Sequence, residues 1–496
     1  MSAIKELWDH FNEIMQLYYI GALLGWDQQV SMPKGSVKGR AEQLALMRGL
    51  IHSRIKSDKT GKLIRDAEKS TNLTQIDLAM IREAKREYDQ ATKIPDELVA
   101  EIAKTSSLGH IEWEKARAKS DFSIFKPYLE KIIKLRIEFA EKLNTGPTLY
   151  STLLDLFEPG STYDWTQKIF KGLKPKLVRI VEKLNNASDK PNKSILKKNY
   201  PAEKQWQLSL DIIKKMNFDF NTGRQDKATH PFTTSLSSID TRITTRIRED
   251  FLPDCLFSTI HECGHALYQM NFKEEIQGTL LADGCSMAIH ESQSRLWENM
   301  VGRSKEFWKF WYPTFQREFP ENLKDYPIEE FHRSINVVEP SFIRVDADEL
   351  TYGLHIILRF ELEKMIIEEN LQVNELPELW NTKTEELLGI TPPTEALGVL
   401  QDVHWTSGFG YFPSYALGNL YAAQIYNHAL DLNPSLPKDY EKGNFSSLLN
   451  YLRENVHQYG KIYRASDLIK KITGEDLNPD YFIKYVEEKY YPIYGI

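Results

Sequence analysis

The amino-terminal half of the chain has the hydrophobic pattern of amphipathic helices. Apolar residues recur there at three- and four-residue spacing, which places them on one face of an α-helix. The pattern covers residues 5–24, 36–56, 76–92, 122–145 and 165–185. Polar stretches interrupt it at Ser57–Gly61 and Asn185–Asn192, where we predict breaks between helices. Long helices with short connections predict packed antiparallel neighbours.

A different pattern occupies residues 231–247, which read PFTTSLSSIDTRITTRI. Ser, Thr and Ile crowd together there, and polar and apolar residues alternate over Thr241–Thr244, as in a β-strand. Helical patterns return after this stretch, and no linker or internal repeat divides the chain. We therefore predict a mainly α-helical fold with one small β-element. It forms a single domain over residues 1–496, with a helical amino-terminal part (1–229), a central part (230–430) and carboxy-terminal helices (431–496).

The composition excludes several classes of partner. The chain has 496 residues, of which 41% are hydrophobic, enough for a large buried core. Its 63 Lys and Arg are interspersed with 70 Asp and Glu, so the net charge is −7 without a basic tract, and nucleic acid is not expected as a partner. No run of about 18 apolar residues occurs, and no secretory signal is recognisable, so we expect no membrane association. Three cysteines are too few for a disulfide framework, which predicts a cytoplasmic protein.

The pentapeptide His261-Glu262-Cys263-Gly264-His265 has the spacing of a metal site. Residues four apart lie one turn above each other on a helix, so both imidazoles can bind one ion. Glu262 lies about 100° round the helix from His261, where it can reach a metal-bound water without being a ligand. Cys263 lies about 200° from His261 and points away. The alternative is a surface helix with two solvated histidines.

A third ligand is needed, because a catalytic zinc usually keeps three protein ligands and one open position. Glu291, within His290-Glu291-Ser292-Gln293, follows far enough downstream for a turn and a second helix. Two His and one Glu form a hydrolytic zinc pattern, although Co²⁺ or Mn²⁺ could use the same ligands. The β-element before the helix of His261 and His265 either holds an extended peptide along an edge strand or merely closes the fold.

Two polar clusters follow the metal motif. The first, Ile343–Asp348, begins a long helical run to about residue 369. The second, Gln401–Trp405, leads into a segment rich in Gly and aromatic residues, residues 408–415. Glycines permit a tight loop there, and we expect Tyr411 and Tyr415 to be displayed from this loop and from the start of the following helix.

Several separated motifs together resemble the Taq-type thermostable carboxypeptidase family of zinc metallocarboxypeptidases over essentially the whole chain. Besides His-Glu-x-x-His and His290–Gln293, they are His230-Pro231-Phe232, Asp240-Thr241-Arg242-Ile243-Thr244, Ile343-Arg344-x-x-Ala347-Asp348, Gly398-x-x-Gln401-Asp402-x-His404-Trp405, Leu24-Gly25-Trp26-Asp27-Gln28 and Met32-Pro33-x-Gly35. The resemblance implies a helical fold with a deep central groove, similar to neurolysin and angiotensin-converting enzyme, and a homodimer. It also implies release of single residues from peptide C-termini with broad specificity.

The resemblance assigns roles residue by residue. His261, His265 and Glu291 correspond to the metal ligands, and Glu262 to the general base. The predicted substrate-binding residues are Arg344, His404, Tyr411, Tyr415, His230 and Arg242. Arg344 has the planar, always-charged guanidinium that a terminal carboxylate needs.

Three alternatives to a carboxypeptidase stay open at this point. A zinc endo-oligopeptidase would share the metal chemistry but lack a carboxylate anchor, and an aminopeptidase would need an acidic anchor for a free amine. A catalytically silent peptide-binding zinc protein would have no use for Glu262, and structural zinc usually recruits four protein ligands.

Overall fold

The computed structural model describes residues 2–496. Helices dominate, as the apolar periodicity predicts. The amino-terminal helices are α1 (Ala3–Val30), α2 (Val37–Lys56), α3 (Asp58–Glu68), α4 (Gln75–Lys93), α5 (Asp96–Lys119), α6 (Phe122–Leu143), α7 (Leu149–Asp155), α8 (Tyr163–Asn185) and α9 (Ala202–Lys215). The strands are β1 (Gly223–Lys227), β2 (Thr233–Ser237) and β3 (Asp240–Thr245).

The helices after the sheet build the rest of the molecule. They are α10 (Leu252–Gln269), α11 (Met287–Arg295), α12 (Lys305–Glu318), α13 (Pro320–Leu323), α14 (Ile328–Ser334), α15 (Glu349–Glu368), α16 (Leu376–Leu388), α17 (Pro413–Leu432), α18 (Leu436–Tyr440), α19 (Ser446–Asn455), α20 (Ala465–Thr473) and α21 (Asp480–Ile493). A π-helical segment, Leu296–Val301, continues α11 directly. The prediction of a mainly α-helical fold with a small β-element is confirmed. The likeness to neurolysin and angiotensin-converting enzyme stays a prediction.

The sheet has three strands in the order β1-β3-β2. Strand β3 pairs in parallel with β1 and antiparallel with β2, and a bulge lies between Ser235 and Ser237. Its inward residue Ile243 is fully buried. Strand β3 packs against α10, so the sheet supports the helix that carries the His-Glu-x-x-His motif.

Two details of the sequence prediction are corrected by the structure. The break predicted at Ser57–Gly61 is shorter, because Ser57 caps the next helix by accepting the Thr60 N–H, and α3 begins at Asp58. Strand β1 was not predicted, because its sequence, GRQDK, carries no alternating apolar residues. The break after Asn185 and the long helix ending near residue 369 agree with the structure.

One hydrophobic core extends through most of the fold, from Leu7 in α1 to Tyr494 after α21. A core that draws on helices from all three parts of the chain is what one domain requires. The single domain and its division into residues 1–229, 230–430 and 431–496 stay predictions. No helix in residues 2–496 is both long and apolar enough to cross a membrane.

Candidate active site

Helix α10 carries both histidines of the motif and packs closely on α11. Pro253 lies in its first turn, where a missing N–H costs nothing. Helix α10 meets α11 at Gly264. A Cβ at this position would come within 2.7 Å of the carbonyl oxygen of Gln293, so the close contact requires a residue without a side chain. This close approach brings Glu291 of α11 opposite His261 and His265.

His261, His265 and Glu291 form a cluster with the dimensions of a metal site. Their ligand atoms all lie within 4.8 Å of one another. Oε2 of Glu291 is 3.8 Å from Nε2 of His261 and 3.6 Å from Nε2 of His265. Cys263 is fully buried in the core and takes no part in the cluster. Two imidazoles and one carboxylate facing a common point are a donor set that fits a divalent metal.

Both imidazoles are oriented through their other ring nitrogen. Nδ1 of His261 lies 2.9 Å from Oε2 of Glu298, and Nδ1 of His265 lies 3.0 Å from the carbonyl oxygen of His290. An Nδ1–H that donates to these acceptors leaves Nε2 unprotonated and free to bind a metal. The ring orientations are therefore set by the protein.

Charges around the cluster favour an ionised Glu291. The Arg295 guanidinium donates to Oε1 of Glu291 at 2.7 Å and lies 3.4 Å from Glu298. Burial opposes ionisation of Glu291, but Arg295 and His261 together lower the pKa of this carboxyl below its ordinary value. Burial also opposes ionisation of Glu298, and hydrogen bonding to His261 and the charges of Arg295 and Arg303 lower the pKa of Glu298 strongly. Both carboxylates are therefore charged at neutral pH.

We expect Glu298→Ala to weaken metal binding without removing a ligand. Loss of such a partner of a metal-binding His typically costs about 10- to 100-fold in affinity, because His261 is no longer held in one orientation. Competition with a chromogenic chelator measures the affinity. Glu318→Ala on α12, an exposed Glu, is the control. An unchanged affinity in Glu298→Ala would show that this contact does not orient His261.

Glu262 lies beside the cluster in a nearly dry position. The Thr233 hydroxyl of strand β2 donates to Oε2 of Glu262 at 2.6 Å, and this side chain is 7% exposed. Burial raises the pKa of Glu262, and the opposing effects of His261 and Thr233 are smaller. One carboxylate oxygen is thus held by β2, so the strand orients this residue.

The structure pairs Arg344 with a buried aspartate. Arg344 donates through Nε to Oδ1 of Asp402 at 3.1 Å and through Nη1 to the Tyr352 hydroxyl at 2.9 Å. Arg359 binds the other oxygen of Asp402. Asp402 therefore faces two guanidinium groups, and the three groups together carry one net positive charge. Nη2 of Arg344 lies 3.0 Å from the same oxygen as its Nε, Oδ1 of Asp402, so two of the five N–H groups of Arg344 stay outside these contacts.

His404, Tyr411 and Tyr415 come together next to Arg344. The His404 ring stacks on Tyr411 with centroids 5.7 Å apart, and the rings of Tyr411 and Tyr415 meet edge to face at 5.0 Å. Cζ of Arg344 lies 5.3 Å from the centre of the Tyr415 ring. Burial lowers the pKa of His404 to about 4, so this imidazole is neutral at pH 7. Four of the six predicted substrate-binding residues thus form one group.

The other two predicted substrate-binding residues have different surroundings. The His230 side chain is exposed in the segment before β2. Arg242 of β3 forms a two-point ion pair with Asp240 and covers the Trp26 ring at 4.3 Å. The Asp240 contact lies within β3, and the Trp26 contact joins the sheet to α1. A role of Arg242 in substrate binding stays a prediction.

Sequence reasoning missed several residues that orient this site. Glu298 and Arg295 were missed, although Arg295 follows Glu291 by four residues and Glu298 follows Arg295 by three, which is a readable helical signal. Thr233 was inside the predicted β-element without an assigned role. Asp402 lies in the motif Gly398–Trp405, but its pairing with Arg344 depends on chain segments far apart in sequence.

A family model, curated relatives and a solved structure that resemble this chain all belong to carboxypeptidases. A model of the carboxypeptidase Taq (M32) metallopeptidase family matches residues 6–490. Carboxypeptidase 1 of Bacillus subtilis is 42% identical over 492 residues, which are 99% of this chain and 98% of that protein. Thermostable carboxypeptidase 1 of Thermus thermophilus is 39% identical over 509 residues, 100% of this chain and 99% of that protein. The crystal structure of M32 carboxypeptidase from Deinococcus radiodurans has a TM-score of 0.97 at 37% identity and covers 100% of both chains.

Proposed function

Because this chain belongs to the carboxypeptidase Taq (M32) metallopeptidase family, we propose that its cluster of His261, His265 and Glu291 holds the catalytic metal. The protein is a metal-dependent hydrolase of peptides that acts at the C-terminal peptide bond. The observation that carries the site assignment is the convergence of three ligand atoms within 4.8 Å. Glu262 beside them is the general base. Release of single residues with broad specificity is part of the proposal.

Zinc is the metal that we propose, with Co²⁺ or Mn²⁺ able to replace it. The donor set of two imidazoles and one carboxylate supports this choice. When bound, the metal acts as a Lewis acid on the scissile carbonyl and lowers the pKa of the attacking water. Arg295 keeps Glu291 ionised, Glu298 orients His261, and the carbonyl oxygen of His290 orients His265.

Glu262 moves the proton during peptide hydrolysis. Its carboxylate accepts a proton from the attacking water and later donates it to the leaving amine. Thr233 holds Oε2 in place, so one orientation of the carboxylate is favoured over others. The scissile carbonyl gains negative charge as the water adds. His404 and the hydroxyl groups of Tyr411 and Tyr415 are the donors available near it, and one such donor typically contributes on the order of 3 kcal/mol.

Arg344 is proposed to bind the terminal carboxylate of the peptide through the N–H groups that Asp402 and Tyr352 leave free. We expect Arg344→Ala to lose roughly 2–5 kcal/mol of substrate binding and to lose the preference for a free C-terminus. The measurement compares kcat/KM for a peptide acid and its C-terminal amide in wild type and variant. Arg344→Lys restores the charge but not the planar geometry, so it should recover only part of the activity.

If the role of Arg344 is purely structural, Arg344→Ala should lower the stability of the protein and slow the cleavage of all substrates alike. Asp402 keeps Arg359 as a partner in Arg344→Ala, so no buried charge is left unpaired and the variant should fold. Thermal unfolding checks this, and Arg248→Ala, at an exposed Arg paired with Asp250, is the control. An undiminished preference for the acid in a well-folded Arg344→Ala would assign the carboxylate anchor to another residue.

The assembly and location of the protein are further parts of the proposal. The resemblance to the family supports a homodimer, which analytical ultracentrifugation tests by mass. A cytoplasmic location is supported by the three cysteines, Cys255, Cys263 and Cys285, which are all buried and unpaired. Fractionation of the source cells tests the location.

A further inference from the structure

A cavity of about 370 Å³ opens beside the group of His404, Tyr411 and Tyr415. These three residues form part of its lining, and they are the same residues that we propose to contact the substrate. Tyr415 also contacts Arg344, the proposed carboxylate anchor. The cavity therefore adjoins the place where the terminal residue of a peptide would bind.

The remaining lining combines apolar walls with one cation. The apolar side chains are those of Leu153, Leu156, Phe157 and Phe409. Arg136 of α6 is the cationic residue in the lining, since His404 is neutral at pH 7. A volume in the range of ligand pockets, apolar walls and one fixed polar group are the usual properties of a binding site.

Arg136 lacks an acidic partner. Its Nη2 donates to the carbonyl oxygen of Ser407, and its Nε is buried without a hydrogen bond. No carboxylate oxygen within residues 2–496 lies within 4.0 Å of this guanidinium. Burial alone lowers the pKa of Arg136, with no neighbouring charge contributing. A guanidinium that lines a cavity without a carboxylate partner is available to bind an anion.

The loop beside the cavity is shaped around this side chain. Gly408 has a φ of +154°, and a Cβ there would come within 3.0 Å of Nε of Arg136. The absence of a side chain at Gly408 thus leaves room for the guanidinium. Arg136 also covers the Phe139 ring, with Cζ 5.7 Å from the ring centre, which limits its movement. The cation is held in position by its surroundings.

We propose that this cavity receives the C-terminal residue of the peptide substrate and that Arg136 binds a carboxylate of that residue. The carboxylate belongs either to an acidic side chain or to the chain terminus. The geometry points to the side chain, because Arg344 already stands as the anchor for the terminus. Apolar walls then accept the methylene groups of a Glu side chain while the planar guanidinium binds its carboxylate at two points. This inference rests on the carboxypeptidase function proposed above.

The test uses peptides that differ only at the C-terminal residue, Glu against its neutral isostere Gln, each as the free acid and as the amide. We expect wild type to release Glu faster than Gln. Arg136→Gln should lower kcat/KM for the Glu peptide by about 10- to 100-fold, which is the loss expected when a hydrogen bond between charged groups is removed. The Gln peptide should be cleaved at nearly the wild-type rate.

Arg117→Gln is the matched control, because Arg117 is an exposed Arg of α5 that also covers an aromatic ring, that of Trp113, at 5.5 Å. If Arg136→Gln slows both acids alike and removes their advantage over the amides, Arg136 binds the terminal carboxylate instead. If the Glu-to-Gln ratio and the acid-to-amide ratio of kcat/KM are both unchanged in a well-folded Arg136→Gln, the inference is overturned while the carboxypeptidase function stands. If wild type loaded with metal releases no C-terminal residue from any peptide, the proposed function itself fails, and the inference with it.

Discussion

Glu262→Gln is expected to retain the metal and to lose most of the turnover. The substitution keeps the shape of the side chain, and the amide oxygen can still accept the hydrogen bond from Thr233. It removes the carboxylate that we propose takes a proton from the attacking water, a contribution of about 10²–10⁴-fold in rate. The measurement is kcat for release of a C-terminal residue, together with the metal content of the same sample.

The control for this substitution is Glu275→Gln, at an exposed Glu shortly after α10. It should behave like wild type in both measurements. Because Glu262 is not a metal ligand in our assignment, the metal content should separate Glu262→Gln from the ligand variants. Near-normal turnover in Glu262→Gln would assign the general base to another residue.

The parts of the site that sequence reasoning reached are those governed by local geometry. Helical periodicity alone predicts that His261 and His265 share a face and that Glu262 does not. Chemistry then requires a third ligand, and the structure brings Glu291 to the place where one is needed. Gly264 explains why α10 and α11 approach so closely, but only the packed structure shows this contact.

The parts that sequence reasoning missed depend on packing between distant segments. Strand β1 forms because it pairs with β3, although its own sequence is polar. Asp346 and Asp348 lie near Arg344 in sequence, yet the ion-pair partner of Arg344 is Asp402, 58 residues away along the chain. Asp348 instead caps α15. Local spacing therefore predicts elements and motifs, whereas ion pairs in the core require the fold.

The arrangement of charges around His261, His265 and Glu291 also follows from the fold. Glu298 accepts from His261 and is bound by Arg295 and Arg303, so a carboxylate outside the ligand set is ionised despite its burial. The π-helical segment Leu296–Val301 carries Glu298, and such segments are frequent at functional sites. The two arginines balance the negative charge of Glu291 and Glu298 before a metal adds its own charge.

Glu291→Ala is expected to abolish stoichiometric metal binding and activity together. It removes one of the three proposed protein ligands, and it leaves the Arg295 guanidinium next to the two imidazoles, where its positive charge opposes a cation. Without the metal, several kcal/mol of transition-state stabilisation are lost. A loss of that size lowers kcat/KM by at least about 10³-fold, at 1.36 kcal/mol for each factor of ten. His265→Ala should have the same result.

Metal content after dialysis, measured by mass spectrometry of the metal, tests the assignment directly. Removing the metal from wild type with a chelator should give the same loss of activity, and added Zn²⁺ should restore wild type but not Glu291→Ala. His110→Ala, at an exposed His of α5, is the control for His265→Ala and should keep both metal and activity. Full metal occupancy and activity in Glu291→Ala would remove Glu291 from the ligand set. The Glu291 carboxylate would then serve only as the ion-pair partner of Arg295.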